Sequence, residues 1–142
     1  MSKIFGLDFG TARIGLASCS KMLKIPTPYP TFKMLPSIDK SVEALAGILK
    51  KEQCELLIVG LPLELSGKEG SMAVQTRAFI AKLEPLLIGV TIKFLDERLT
   101  SAQAEKALKA MDFNRKKRAQ SSDAMAACLI LETFLSQGDL TI

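Results

Sequence analysis

The sequence predicts an α/β fold, a mixed five-stranded sheet that is antiparallel at the start, parallel later, and flanked by helices. Ile4 to Phe9 reads as a strand apolar on both faces, the pattern of a strand buried in mid-sheet. "RIGLASC" alternates and follows it closely, as the second arm of a hairpin does. After Ser37, helical and strand patterns take turns, which implies right-handed crossovers and parallel pairing.

The expected elements run in order. Ile4–Phe9 pairs with Arg13–Ser18, and Gly10 and Gly15 are available for the turn. "KIPTPYPTF" is an extended connection or edge strand, because proline cannot donate to a sheet ladder, and a third antiparallel strand is expected near Thr31–Leu35. "SIDKSVEALAGILKKEQ" puts Val42, Leu45, Ile48 and Leu49 on one helical stripe, with Ser37 or Asp39 as cap. "LLIVGLP" is a continuous apolar strand ended by Gly60 and Pro62. "SMAVQTRAFIAKLEPLL" is a second helix, "VTIKFLD" a strand, and "SAQAEKALKAM" a third helix opened by Thr100 and Gln103 at capping-box spacing. A last helix is expected from about Ser122 to Leu135.

A chain of 142 residues, 48% hydrophobic and 24% charged, suits one soluble domain over 1–142. Its longest apolar runs, such as Leu56 to Leu63, are too short to span a bilayer. "MSKIFGLDFG" enters a strand without the pattern of a signal peptide, so a cytoplasmic location away from membranes is expected. Cys19, Cys54 and Cys128 are scattered and read as small buried hydrophobes. There is no histidine, which excludes a His-based nucleophile–base pair and argues against a zinc site. The net charge of +4 is mild, but Arg115, Lys116, Lys117 and Arg118 are consecutive. Such a run is either a solvated face or a patch for nucleic acid.

In sheets of this kind a site forms at the carboxyl ends of the strands. Asp8 ends the first strand, Asp96 and Glu97 end "KFLDE", and Asp123 is expected in the first turn of the last helix. Singly, each has a plain reading: a hairpin-turn aspartate, a strand-end pair with Arg98, a helix-start acid. Together they point elsewhere, since three carboxylates near one point repel unless a cation sits among them. Hard ions such as Mg²⁺ or Mn²⁺ take oxygen ligands without histidine. Two of them, about 3.5–4 Å apart, activate water and stabilise the leaving oxygen in phosphodiester cleavage.

"GLDFGTARIGLA", "LLIVGLPLELSGKEG", "FLDERLTSAQAE" and "DAMAACLILETFL" resemble, in sequence and order, the YqgF/RuvX family. The resemblance spans nearly the whole chain and implies a ribonuclease H-like fold. It also implies a nuclease, either a Holliday junction resolvase or one that matures the 5′ end of pre-16S rRNA. It makes Asp8, Glu97 and Asp123 the metal-binding catalytic acids, with Asp96 the alternative in the middle position. The chain departs from the family at Lys21, where "SD" is frequent, and at Glu64, where Asn is frequent. The Gly67–Gly70 loop leads to Ser71, a candidate helix cap whose amides suit a phosphate. Arg13, Arg98 and the Arg115–Arg118 run are candidate contacts to a nucleic-acid backbone.

Other readings differ in kind. "DFGT" also resembles the first phosphate loop of the actin-like ATPases, but the chain offers no second such loop. A ribosome-assembly or nucleic-acid binding factor without nuclease activity is the stronger rival. The sequence does not separate RNA from branched DNA, because discrimination depends on contacts to the 2′-hydroxyl and on shape, and the reading leans to ribosomal RNA processing with four-way DNA as the alternative. A junction resolvase requires two active sites and hence a dimer, whereas trimming of RNA suits a monomer or weak homodimer.

Overall fold

Why the first strand is apolar on both faces is answered by its place in the sheet. The structure, a computed structural model, describes residues 2–100 and 115–137, with the side chains of 115–122 and 137 outside that description. Five strands lie in the order β3-β2-β1-β4-β5, so β1 (Lys3–Asp8) is central. It pairs antiparallel with β2 (Arg13–Ser20) and parallel with β4 (Cys54–Leu61). β3 (Thr27–Lys33) closes the antiparallel meander, and β5 (Thr91–Asp96) runs parallel to β4.

The two faces are covered by different helices. Phe5, Leu7, Ile14, Leu16, Leu57 and Val59 pack with Val42, Leu45 and Leu49 of α1 (Ile38–Lys51) and Phe79, Ile80 and Leu83 of α2 (Ser71–Leu83). Ile4, Ala17, Cys19, Ile58 and Leu95 pack instead with Ala126, Ala127, Ile130 and Leu131 of α3 (Arg115–Gln137). Burying each large apolar side chain contributes roughly 1.5–3 kcal/mol, so both layers hold the sheet. Among the described residues, no helix is long and apolar enough to cross a membrane.

Several boundaries differ from the sequence reading. The third strand is Thr27–Lys33 rather than Thr31–Leu35, and Pro28 and Pro30 lie within it. Tyr29 anchors this stretch: its ring meets Phe5 edge-on at 5.4 Å and its hydroxyl donates to Glu52 at 3.1 Å. α2 stops at Leu83, and Pro85, which has no N–H for an α-helical bond, sits in a 3₁₀ turn, Glu84–Leu86. Ser37 is the cap of α1, accepting from the Lys40 amide at 3.3 Å. Ser71 is not a cap. It is the first residue of α2, after the N-cap Gly70, and its hydroxyl accepts from Gln75. The helix expected over 101–111 lies outside the described residues, as does the partner of Thr100 in its capping box. The last helix begins at Arg115, seven residues before the expected start, which puts Asp123 in its interior instead of its first turn.

Candidate functional site

Side chains of a strand alternate between faces. Ile4 belongs to the α3 layer and Phe5 and Leu7 to the opposite one, so Asp8 falls on the α3 face. It is 3% exposed. Its partner across the hairpin is Gly15. A Cβ on Gly15 would run into the backbone carbonyl oxygen of Asp123, so this glycine is what lets α3 lie directly on β2 beside Asp8.

Arg13 comes two residues before Gly15 on the same face of β2. Its Nε donates to Asp123 Oδ2 at 2.8 Å, joining β2 to α3 through a partly buried ion pair. Asp123 is 8% exposed.

The third acid arrives from β5. Leu95 packs in the α3 layer, so Asp96, the last residue of β5, points to the other face, while Glu97, just past the strand, lies with Ile130 of α3 against Gly60. Glu97 is fully buried, in a 3₁₀ turn, Glu97–Leu99. Its Oε1 lies 2.8 Å from where a Cβ on Gly60 would sit. Gly60 follows Val59, the β4 partner of Leu7, which sets the Glu97 carboxylate level with Asp8. Gly15 and Gly60 therefore flank Asp8 on its two neighbouring strands, each leaving room for the approach of another acid.

Asp96 is engaged elsewhere. Arg98 forks onto both of its carboxylate oxygens, with Nη2 at 2.6 Å from Oδ2, and the Arg98 amide donates to Oδ1 at 2.9 Å. The Arg98 hydrogen bonds hold the Asp96 carboxyl below the usual carboxylate range, against the opposing effect of burial. Arg98 also donates to the Leu65 carbonyl at 3.3 Å, tying the end of β5 to the 62–70 loop. Of the expected backbone contacts, Arg13 and Arg98 are thus both held in ion pairs. The side chains of Arg115, Lys116, Lys117 and Arg118 lie outside the described residues, although all four residues open α3.

The expected phosphate position at the start of α2 carries an anionic group of the chain itself. Glu64 Oε2 lies 3.0 Å from where a Cβ on Gly70 would sit, beside the helix N-terminus. Lys21, the other departure from the family pattern, makes an exposed pair with Glu55 at 3.0 Å. The Arg13–Asp123 bridge joins residues 110 apart in sequence, beyond any local pattern.

Among the described residues, no group of three or more His, Cys, Asp or Glu side chains is arranged to hold a metal ion. Asp8, Glu97 and Asp123 share one face without closing around a point. Their chemistry nonetheless fits a hard divalent cation: all are oxygen donors, all are buried, and the chain has no histidine to favour a softer ion.

Comparisons with known proteins bear on the fold and the family. The solved structure of Thermus thermophilus RuvC in complex with Holliday junction substrate superposes with a TM-score of 0.62 over 99% of both chains at 14% identity. A second structure of the Thermus protein gives a TM-score of 0.58. At such identity the likeness establishes the ribonuclease H-like fold. In sequence, the chain is 37% identical over 136 residues to a "Putative pre-16S rRNA nuclease" of Endomicrobium trichonymphae, covering 95% of this chain and 96% of that one. It is 40% identical over 132 residues to a protein of the same name from a Chelativorans species, covering 93% and 81%. Residues 2–137 match the family model described as "RuvX: Holliday junction resolvase". The chain belongs to the RuvX family of nucleases.

Proposed function

We propose that this chain is a metal-dependent endonuclease that cleaves phosphodiester bonds of structured nucleic acid, with the 5′ end of pre-16S rRNA as its substrate. The observation that carries this reading is the delivery of three buried acids, Asp8, Glu97 and Asp123, to one face of the sheet by three separate elements. The substrate follows the names of the relatives. The family description and the RuvC-like fold support four-way DNA as a second substrate class. On this reading the whole of 1–142 is one nuclease domain, acting in the cytoplasm as a monomer or weak homodimer.

Asp8, Glu97 and Asp123 would hold Mg²⁺ or Mn²⁺, with Asp96 kept apart by Arg98. When bound, such ions activate a water and stabilise the oxygen that leaves. The chain's own part is to bury the acids where bulk water is excluded and to fix them on rigid strands and one helix. Gly15 and Gly60 hold α3 and Glu97 close to Asp8. Arg13, Arg98 and the Arg115–Arg118 run supply cations for the backbone of the substrate, giving salt-sensitive binding with little sequence preference.

The test is cleavage of a pre-16S rRNA 5′ segment and of a four-way DNA junction, each with Mg²⁺, Mn²⁺ or EDTA. Metal-dependent cleavage of the RNA, lost in folded Asp8→Asn and Asp123→Asn variants, is the expected result. Cleavage of the junction alone would move the substrate to DNA. Folded native protein that cuts neither substrate would make the chain a binding factor.

A further inference from the structure

Arg13 is already a cation on the carboxylate that the proposed metal needs. Its Nε–H is 2.8 Å from Asp123 Oδ2, and the two side chains are 33% and 11% exposed. Asp123 is thus compensated from within the chain, at an ion pair shielded enough to resist full screening by solvent. The pair is also anchored at both ends. Arg13 begins β2 two residues from Gly15, and Gly15 is the residue against which the Asp123 backbone rests. Asp96 has a comparable arginine, but there the fork engages both oxygens and the backbone amide as well. Arg13 meets Asp123 through Nε at Oδ2, a hold that another cation can replace.

We infer that Arg13 is a tethered competitor for the metal site, a positioning residue that holds Asp123 until a divalent ion displaces it and so lowers the affinity of the site for that ion. This rests on the reading of Asp123 as a metal ligand. The physical reason is that a guanidinium and a divalent ion beside one carboxylate repel each other, so binding of the ion must weaken the Arg13 bond, and the bond must weaken binding of the ion to the same degree. The opposite role, in which Arg13 orients Asp123 for the ion, has the opposite sign in a binding experiment.

The experiment is a titration of the full chain with Mn²⁺ in the absence of nucleic acid, by calorimetry and by the electron paramagnetic resonance signal of free Mn²⁺. Arg13→Gln is expected to bind Mn²⁺ about two- to fivefold more tightly than the native protein, the range that losing a partly exposed ion pair allows. Its melting temperature in EDTA should be lower than native, and its rise on adding Mn²⁺ larger. Arg13→Lys, which keeps the charge, should bind within about twofold of native. If Arg13→Gln does not fold, Arg13→Met, which keeps an apolar stem, takes its place in the same comparison. Native protein that binds Mn²⁺ with Arg13→Gln equal or weaker would overturn the competitor role and leave the metal site standing. Absence of binding by both native and variant would overturn the metal site and the competitor with it.

Discussion

Gly15 and Asp123 meet backbone to backbone: the carbonyl oxygen of Asp123 occupies the place of a Cβ on Gly15. One glycine on β2 thereby sets how close α3 comes to Asp8, its partner across the hairpin. Gly15→Ala must push the helix outward, and because the obstruction is backbone, no rotamer relieves it. The expected cost is about 1–3 kcal/mol in urea unfolding. Cleavage should fall further than the unfolded fraction explains. A variant as stable and as active as native would show that α3 approaches less closely than described.

Gly60→Ala separates the chemistry from the fold in another way. Its methyl group would meet the Ile130 side chain and the Glu97 carboxylate, both of which are side chains able to shift. A loss of about 1–2 kcal/mol is expected by analogy with other overpacked cores. Cleavage at saturating substrate should fall while nucleic-acid affinity stays near native. A drop in affinity with turnover unchanged would assign Gly60 to substrate binding instead.

Divalent ions should stabilise the protein. An ion present at a hundred times its dissociation constant adds about 2.7 kcal/mol, enough to raise the melting temperature by several degrees. Mg²⁺ or Mn²⁺ should give that rise in native protein and little or none in Asp8→Asn, measured by calorimetry against EDTA. Equal shifts in both would return Asp8 to the role of a hairpin residue.

The Asp96–Arg98 fork predicts a pH dependence of defined sign. Asp96 titrates below its ordinary range in the folded protein because Arg98 hydrogen-bonds the charged form. Its contribution to stability is therefore complete above about pH 4 and is lost as the pH falls through the depressed folded value. Asp96→Asn should lower the urea midpoint at pH 7 and flatten the fall in stability below pH 4. An unaltered acid limb in the variant would contradict this.

The three thiols should be silent in the folded state. Cys54 is pushed up to about 12 by burial, and burial raises Cys19 and Cys128 as well. At pH 8 the native protein should react with a thiol reagent only slowly, and all three cysteines should react promptly in denaturant. Rapid modification of one cysteine in native protein would reveal local opening at that position.

Much of this was legible in the sequence, and the parts that were not share a cause. The two-faced apolar run of β1, the stripe of Val42, Leu45 and Leu49 and the strand–helix alternation are local patterns, and each element formed where its pattern lies. Which of Asp96 and Glu97 faces α3 was left open by the sequence, because it depends on the turn after β5 and on the packing of Glu97 against Gly60. Gly15 and Gly60 carried a readable signal, since glycine inside a strand often marks a close approach, but the group that approaches is remote in sequence. The Arg13–Asp123 and Arg98–Leu65 contacts likewise depend on tertiary packing. Boundaries were less legible: the proline-rich stretch read as a connection or edge strand is itself the edge strand, Thr27–Lys33, and the last helix starts earlier than expected, at Arg115.

That edge strand limits how copies of the chain can meet. β3 is the outermost strand beside β2, and Pro28 and Pro30, having no N–H, leave gaps in the row of donors that a further strand would require. The sheet is closed to continuation on that side by its own composition. Two copies brought together on a branched or folded nucleic acid would have to associate through some other surface, and the prolines that made the third strand hard to place also guard it against fibrous self-association.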